Sequence, residues 1–174
     1  MEGVGSRFFV VLPLQRLGDE CAPASELSVA EVQDFGGFQV LAAEDNRVNQ
    51  LVLKTLLNQA GIDPFIVSDG AEAVAAWRER QWDLILMDVQ MPVMDGPTAS
   101  QTIRALELAS GRKRTPIIAL TANAMAHQVK DYVKSGMDGF VAKPIEVGRL
   151  FTAIDLALAQ DEPGHPQAIG GFTL

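Results

Sequence analysis

Cysteine is almost missing from this chain: Cys21 stands alone among 174 residues. A single thiol excludes an internal disulfide and fits a reducing compartment. Long apolar runs are missing too. None approaches the roughly 20 residues that a membrane-spanning helix needs, so a cytoplasmic location is expected, with any membrane anchor belonging to a longer parent chain. The run Phe8-Phe9-Val10-Val11-Leu12 is too short for a secretory signal, follows Glu2, and has no small-residue cleavage pattern close behind it. A basic excess is the third absence. Of the net charge of −8, −4 falls in residues 1–37, −2 in 38–160 and −2 in 161–174. A nearly neutral centre argues against a nucleic-acid surface, and Arg112-Lys113-Arg114 is expected to be a solvated loop.

What is present is a hydrophobic content of 48%, ample for a core, arranged as short apolar runs alternating with helical stretches. Residues 15–37 mix charge, Ala, Ser, Pro and Gly36-Gly37 without a sustained period and read as a linker. Strand one is expected over Phe38–Ala43, and Asn46 can cap a helix that runs to Ala60 and stops at Gly61. Pro64–Val67 reads as an edge strand, with Pro at its start where a missing donor is tolerated. A helix over residues 70–80 follows, and Trp77 and Trp82 read as packing residues. Leu84-Ile85-Leu86-Met87 lacks a period-two alternation, as a strand covered on both faces should. Helix three is expected from Gly96 to Ala109, strand four over 116–121, helix four over 124–135, strand five over 139–143 and helix five over 146–160. Residues 161–174 read as a loose tail. Five strands alternating with five helices imply an α/β domain with a parallel, doubly wound sheet.

The polar residues at the carboxyl ends of these strands carry the functional reading. They are Glu44 and Asp45, Asp88, Thr121 and Lys143. In the flavodoxin-like order 2-1-3-4-5, strands one and three are neighbours at the switch point, so three carboxylates meet in one crevice. Like charges crowded there need cationic compensation. Lys143 supplies one charge, and Mg²⁺, which takes one or two carboxylates beside waters and phosphate oxygens, fits the rest. A carboxylate beside a metal, a lysine and a hydroxyl suits phosphoryl transfer onto an aspartate. Each residue alone has a bland reading as a helix-terminus acid, a turn hydroxyl or a solvated lysine. Five such coincidences at the strand ends make the bland reading hard to sustain.

Residues 38–158 resemble a receiver domain of two-component signalling. The resemblance rests on Glu44-Asp45-Asn46, Asp88 with Met91-Pro92 and Asp95-Gly96, Ala119-Leu120-Thr121-Ala122, and Lys143-Pro144. It implies that Asp88 is the phosphoacceptor, that Asp45 and Asp88 ligate Mg²⁺ directly, that Glu44 acts mostly through water, and that the Gln90 carbonyl completes the ligands. Lys143 would precede a cis proline. The family's switch maps onto Thr121 and Phe140, read on a face of strand five with helices four and five that can also serve self-association. Phe140 has no hydroxyl, so its preferences rest on packing. Such domains catalyse their own phosphorylation and dephosphorylation.

Gly3-Val4-Gly5-Ser6-Arg7-Phe8 and Leu12-Pro13-Leu14 resemble the end of the ATP-binding domain of sensor histidine kinases. With the Glu44-Asp45-Asn46 opening and Asn49-Gln50, they imply a receiver attached behind a hybrid histidine kinase, fed by that kinase and passing phosphoryl to a histidine phosphotransfer protein. Residues 1–14 without the rest of that domain predict no nucleotide binding. His127 and His165 are not expected to be donors. The stretch after Gln160 is too short for a DNA-binding output domain. On helix one, Val48, Val52 and Leu56 form a stripe expected to face the sheet, leaving Leu51 as a surplus apolar residue for partner docking.

Other classes fit less well. A flavodoxin-like cofactor binder needs a hydroxyl-rich phosphate loop where Glu44-Asp45 stands, and a phosphatase of the haloacid dehalogenase type needs a second acid where Gln90 stands. A receiver that restrains its own kinase would use the same pocket as a relay.

Overall fold

The computed structural model describes residues 37–122 and 126–159, with side chains except at 126–129. The expected kinase-like ending at 1–14, the linker up to Gly36, the tail, His165 and the His127 side chain lie outside these.

The elements follow the apolar runs. Strand β1 (Val40–Ala43) leads to α1 (Arg47–Gln59), whose cap is Asn46, its side chain accepting from the N–H groups of Val48 and Asn49. Then come β2 (Phe65–Val67), α2 (Gly70–Glu79), β3 (Leu84–Asp88), α3 (Gly96–Ser110), β4 (Ile117–Thr121), α4 (Ala126–Lys134), β5 (Gly139–Ala142) and α5 (Val147–Ala159). The five strands form one parallel sheet of order β2-β1-β3-β4-β5, with β2 at one edge. Among the described residues, no helix is long and apolar enough to cross a membrane.

The sheet is covered on both faces, which explains the unbroken apolar runs. Leu84 and Leu86 join one cluster with Leu53 and Leu57 of α1 and Leu150 and Ile154 of α5, whereas Ile85 and Met87 join the other with Trp77 of α2, Ile103 of α3 and Tyr132 of α4. Alternate residues of one strand thus serve opposite cores. Trp77 and Trp82 are both buried, as packing residues should be.

Two expectations need correction. The sheet-facing stripe of α1 is Leu53 and Leu57, with Leu56 partly buried, while Val48 and Val52 face solvent beside Leu51. The helix is turned by Asn49, whose Nδ2 donates to Glu44 Oε1 at 2.8 Å, and by Gln50, whose Nε2 donates to the Glu44 carbonyl at 2.6 Å. Polar residues continue the buried stripe, so an apolar count misplaces it.

The basic run is also anchored rather than simply solvated. The Arg112 guanidinium lies 4.0 Å from the Trp77 ring centroid and donates to the carbonyls of Trp77 and Arg80. Arg114 pairs with Asp138 at 2.7 Å. The same aspartate pairs with Arg104, which also holds Glu107 and the Gly136 and Thr115 carbonyls. This network fixes the entrance to β4 and β5 at the end of the sheet opposite the carboxylates.

Candidate functional site

The carboxyl ends of β1, β3, β4 and β5 converge because neighbouring strands are parallel and in register. Ala43 pairs with Met87, Asp88 with Leu120, and Thr121 with Ala142. The residue after each run therefore reaches the same crevice. Lys143 follows Ala142, its N–H donates to the Thr121 carbonyl at 2.7 Å, and the Lys143–Pro144 bond is cis.

Carboxylate oxygens of Glu44, Asp45 and Asp88 lie within 4.8 Å of one another. Glu44 is fully buried and Asp88 nearly so, while Asp45 is exposed. Lys143 Nζ stands 2.7 Å from Glu44 Oε2 and 2.7 Å from Asp88 Oδ2, bridging the two buried acids. The Gln90 N–H donates to Asp88 Oδ1 at 3.3 Å. Burial pushes the Asp88 carboxyl above its ordinary value of 3.8, and the Glu44 charge adds to the rise; Lys143 and the Gln90 N–H pull against it without cancelling it. For Lys143, burial acts to lower the ammonium, but its bonds to Asp88 and Glu44 outweigh that and hold it above 10.5.

The loop from β3 to α3 is built tightly against this crevice. Asp95 caps α3 by accepting from the Thr98 N–H, and the Gly96 N–H donates to the Val89 carbonyl. A Cβ on Gly96 would collide with the Asp88 carbonyl oxygen, so only glycine lets α3 begin there. Val93 in the same loop is fully exposed in the left-handed region at φ 63°, where a β-branched side chain is strained.

A hard-oxygen set with one exposed and two buried carboxylates suits a divalent cation such as Mg²⁺. One bridging lysine leaves at least two negative charges in the trio uncompensated when all three acids are ionised, which is the condition a divalent ion relieves.

Residues 40–155 match the model of the response regulator receiver domain. The chain belongs to that family. The receiver is 44% identical over 112 residues to the sensor protein GacS of Pseudomonas syringae pv. syringae, an alignment covering 64% of this chain and 12% of GacS. It is 43% identical over 117 residues to the peroxide stress-activated histidine kinase mak1 of Schizosaccharomyces pombe, covering 66% of this chain and 7% of the relative. The chain thus spans about an eighth or less of these relatives, and the matched parts are receiver regions of hybrid sensor histidine kinases.

Solved receivers share the fold. The receiver domain of sensor histidine kinase PA1611 from Pseudomonas aeruginosa PAO1, which holds a magnesium ion in its active site cleft, superposes with TM-score 0.63 at 38% identity, covering 71% of this chain and 98% of that one. A structure of the Saccharomyces cerevisiae histidine phosphotransfer protein Ypd1 with the receiver domain of its response regulator Ssk1 matches with TM-score 0.65 at 31% identity, covering 73% and 93%.

Of the residues named from sequence, the receiver brings together Glu44, Asp45, Asp88, Gln90 and Lys143. Thr121 lies at the same sheet end, its hydroxyl 2.9 Å from that of Tyr132. Phe140 packs, partly buried, on the cluster that contains Tyr132. Leu51 is 67% exposed on α1 and takes no part in the crevice. Sequence reasoning missed the bonds by which Asn49 and Gln50 hold Glu44, although it singled out both residues, and it missed Tyr132. The signal for Tyr132 was a lone tyrosine on the sheet-facing side of a short helix.

Proposed function

We propose that this receiver accepts a phosphoryl group on Asp88 from a phosphohistidine in a Mg²⁺-dependent reaction and passes it to the histidine of a phosphotransfer protein. The observation that carries the reading is the buried Asp88 carboxylate bridged to Glu44 by Lys143, beside the exposed Asp45. In the forward step an Asp88 oxygen forms a bond to phosphorus as the phosphorus–nitrogen bond to the donor imidazole breaks, and the imidazole leaves with the electron pair and takes up a proton. Lys143 neutralises charge gathering on the transferred group, and the Thr121 hydroxyl donates to one of its oxygens. Asp45, Asp88 and the Gln90 carbonyl would hold Mg²⁺ directly and Glu44 through water; the ion supplies further charge neutralisation. Asn49 and Gln50 orient Glu44. In self-catalysed dephosphorylation water takes the place of the phosphotransfer protein's histidine as acceptor, its oxygen bonding to phosphorus as the Asp88 oxygen–phosphorus bond breaks and its proton passing to solvent.

The donor, on this reading, is a kinase domain in the same parent chain, of which residues 1–14 are the closing segment. This rests on the resemblance at Gly3–Leu14 and on the hybrid-kinase relatives. The docking surface for the phosphotransfer protein is the exposed apolar set Val48, Leu51 and Val52, spaced three and four residues apart on α1 just beyond the Glu44 turn. The Ssk1 receiver crystallised with Ypd1 is the precedent for such a partner. Phosphorylation-dependent self-association would use α4, β5 and α5, where Leu156 is exposed.

The test is transfer from a phosphorylated histidine phosphotransfer domain. Label should move to wild-type protein only with Mg²⁺ and should not move to Asp88→Asn. Leu51→Glu should slow this exchange by about tenfold or more while leaving phosphorylation by a small acyl phosphate unchanged; equal exchange rates would remove the docking patch from the account.

A further inference from the structure

Glu44 is fully buried, and each of its polar groups is held. Its N–H donates to the Val67 carbonyl at 3.0 Å, and its carbonyl accepts from Gln50 Nε2 at 2.6 Å. Carboxylate Oε2 is paired with Lys143 Nζ at 2.7 Å. Oε1 accepts from Asn49 Nδ2 at 2.8 Å, with the Asn46 N–H farther off at 3.4 Å. An ionised carboxylate has about four lone-pair sites, so the protein itself engages most of what Glu44 can offer. Asn49, half-buried in the first turn of α1, supplies the shorter of the two bonds to Oε1.

This holding decides what Glu44 can give to a cation. Mg²⁺ demands an octahedral shell, dehydrates reluctantly and is satisfied by one or two carboxylates beside waters, whereas Ca²⁺ takes about 6–8 oxygens and commonly a bidentate carboxylate. Selectivity between the two turns on the number of ligands and on how freely they move. A Glu44 side chain released from its partners would bring a third carboxylate, with both oxygens, to the crevice it shares with Asp45 and Asp88. Held on one oxygen by Asn49 and on the other by Lys143, it presents a fixed negative edge that suits an ion's bound water instead. We infer that Asn49 determines the metal specificity of this crevice: its amide anchors Oε1, keeps Glu44 out of direct ligation, and so favours Mg²⁺ over Ca²⁺. Asn49 is thus a positioning residue that acts through Glu44. The inference rests on the reading of Glu44, Asp45 and Asp88 as a Mg²⁺ site.

The test is binding of MgCl₂ and of CaCl₂, each alone and without a phosphoryl donor, by isothermal titration, with the ion-dependent rise in melting temperature as a second readout. Asn49→Ala should lower the ratio of the Ca²⁺ to the Mg²⁺ dissociation constant by about tenfold or more, the scale on which residues behind a metal ligand act. Asn49→Leu, which lacks the donor but fills the space, should do the same, and it decides the matter if the alanine variant does not fold. Gln50→Leu frees the Glu44 backbone carbonyl while the carboxylate stays held; it should lower stability and leave the ratio unchanged. An unchanged ratio in the Asn49 variants, or an equal change in Gln50→Leu, overturns the role of Asn49. Failure of the wild type to bind Mg²⁺ at all instead overturns the reading of the crevice as a metal site, and this inference with it.

Discussion

Replacing Lys143 by methionine removes the only positive charge that stands between two buried carboxylates among the described residues. Glu44 and Asp88 oxygens lie within 4.8 Å, and at an effective dielectric of about 20 two unit charges at that distance repel by about 3.5 kcal/mol. Breaking a buried pair by deleting one partner commonly costs about 3–5 kcal/mol. Lys143 is 19% exposed, and water will screen part of the repulsion. In chelator at pH 7, Lys143→Met should lower unfolding stability by about 2–4 kcal/mol in a urea titration, on the order of 10 °C in melting temperature for a domain of this size. The cost should fall by roughly half in an Asp88→Asn background, where Glu44 faces only the exposed, solvent-screened Asp45, and Mg²⁺ should restore stability to the single variant. A loss below about 0.5 kcal/mol, or the same loss in both backgrounds, would refute the view that Lys143 compensates a strained carboxylate pair.

Three further outcomes follow from other parts of the molecule. Val93→Asn or Val93→Gly should raise stability by about 1 kcal/mol, because the left-handed backbone at φ 63° suits those residues and the Val93 side chain packs on nothing it would miss; an unchanged or lower melting temperature would contradict this. Arg104→Leu should lower stability by about 3 kcal/mol, since Glu107 and Asp138 lose their shared cation, and labelling of the folded fraction should be spared because the network lies at the far end of the sheet. Asp88 titrates above 3.8 in the folded state, so its ionisation disfavours the native fold and stability from this group is gained as pH falls through the folded value. Metal-free Asp88→Asn should therefore melt higher than wild type near neutral pH, with the gap closing on acidification; a gap that widens would reverse the sign.

Much of this was legible in the chain. Leu84–Met87 announced a strand buried on both faces, and its alternate residues do enter opposite clusters. Glu44, Asp45, Asp88 and Lys143 were found from their places at strand ends, because parallel register turns sequence position into spatial convergence. Asn46 was read as a cap from its side chain. The misreadings share a cause: polar atoms doing the packing. Asn49 and Gln50 complete the buried stripe of α1 through hydrogen bonds to Glu44, and an apolar period cannot see them. Arg112 stacks on Trp77, and Arg104 links α3 to β4 and to the turn before β5, contacts set by tertiary geometry alone. Tyr132 escaped because its partner lies eleven residues away, on another element.

The central claim is that Asp88 is the phosphoacceptor, and intact-mass measurement after incubation with Mg²⁺ and a small acyl phosphate tests it most directly. One phosphoryl adduct should appear on wild-type protein, vanish with chelator, and be absent from Asp88→Asn. No adduct on the wild type, or an adduct that persists in Asp88→Asn, would contradict the account.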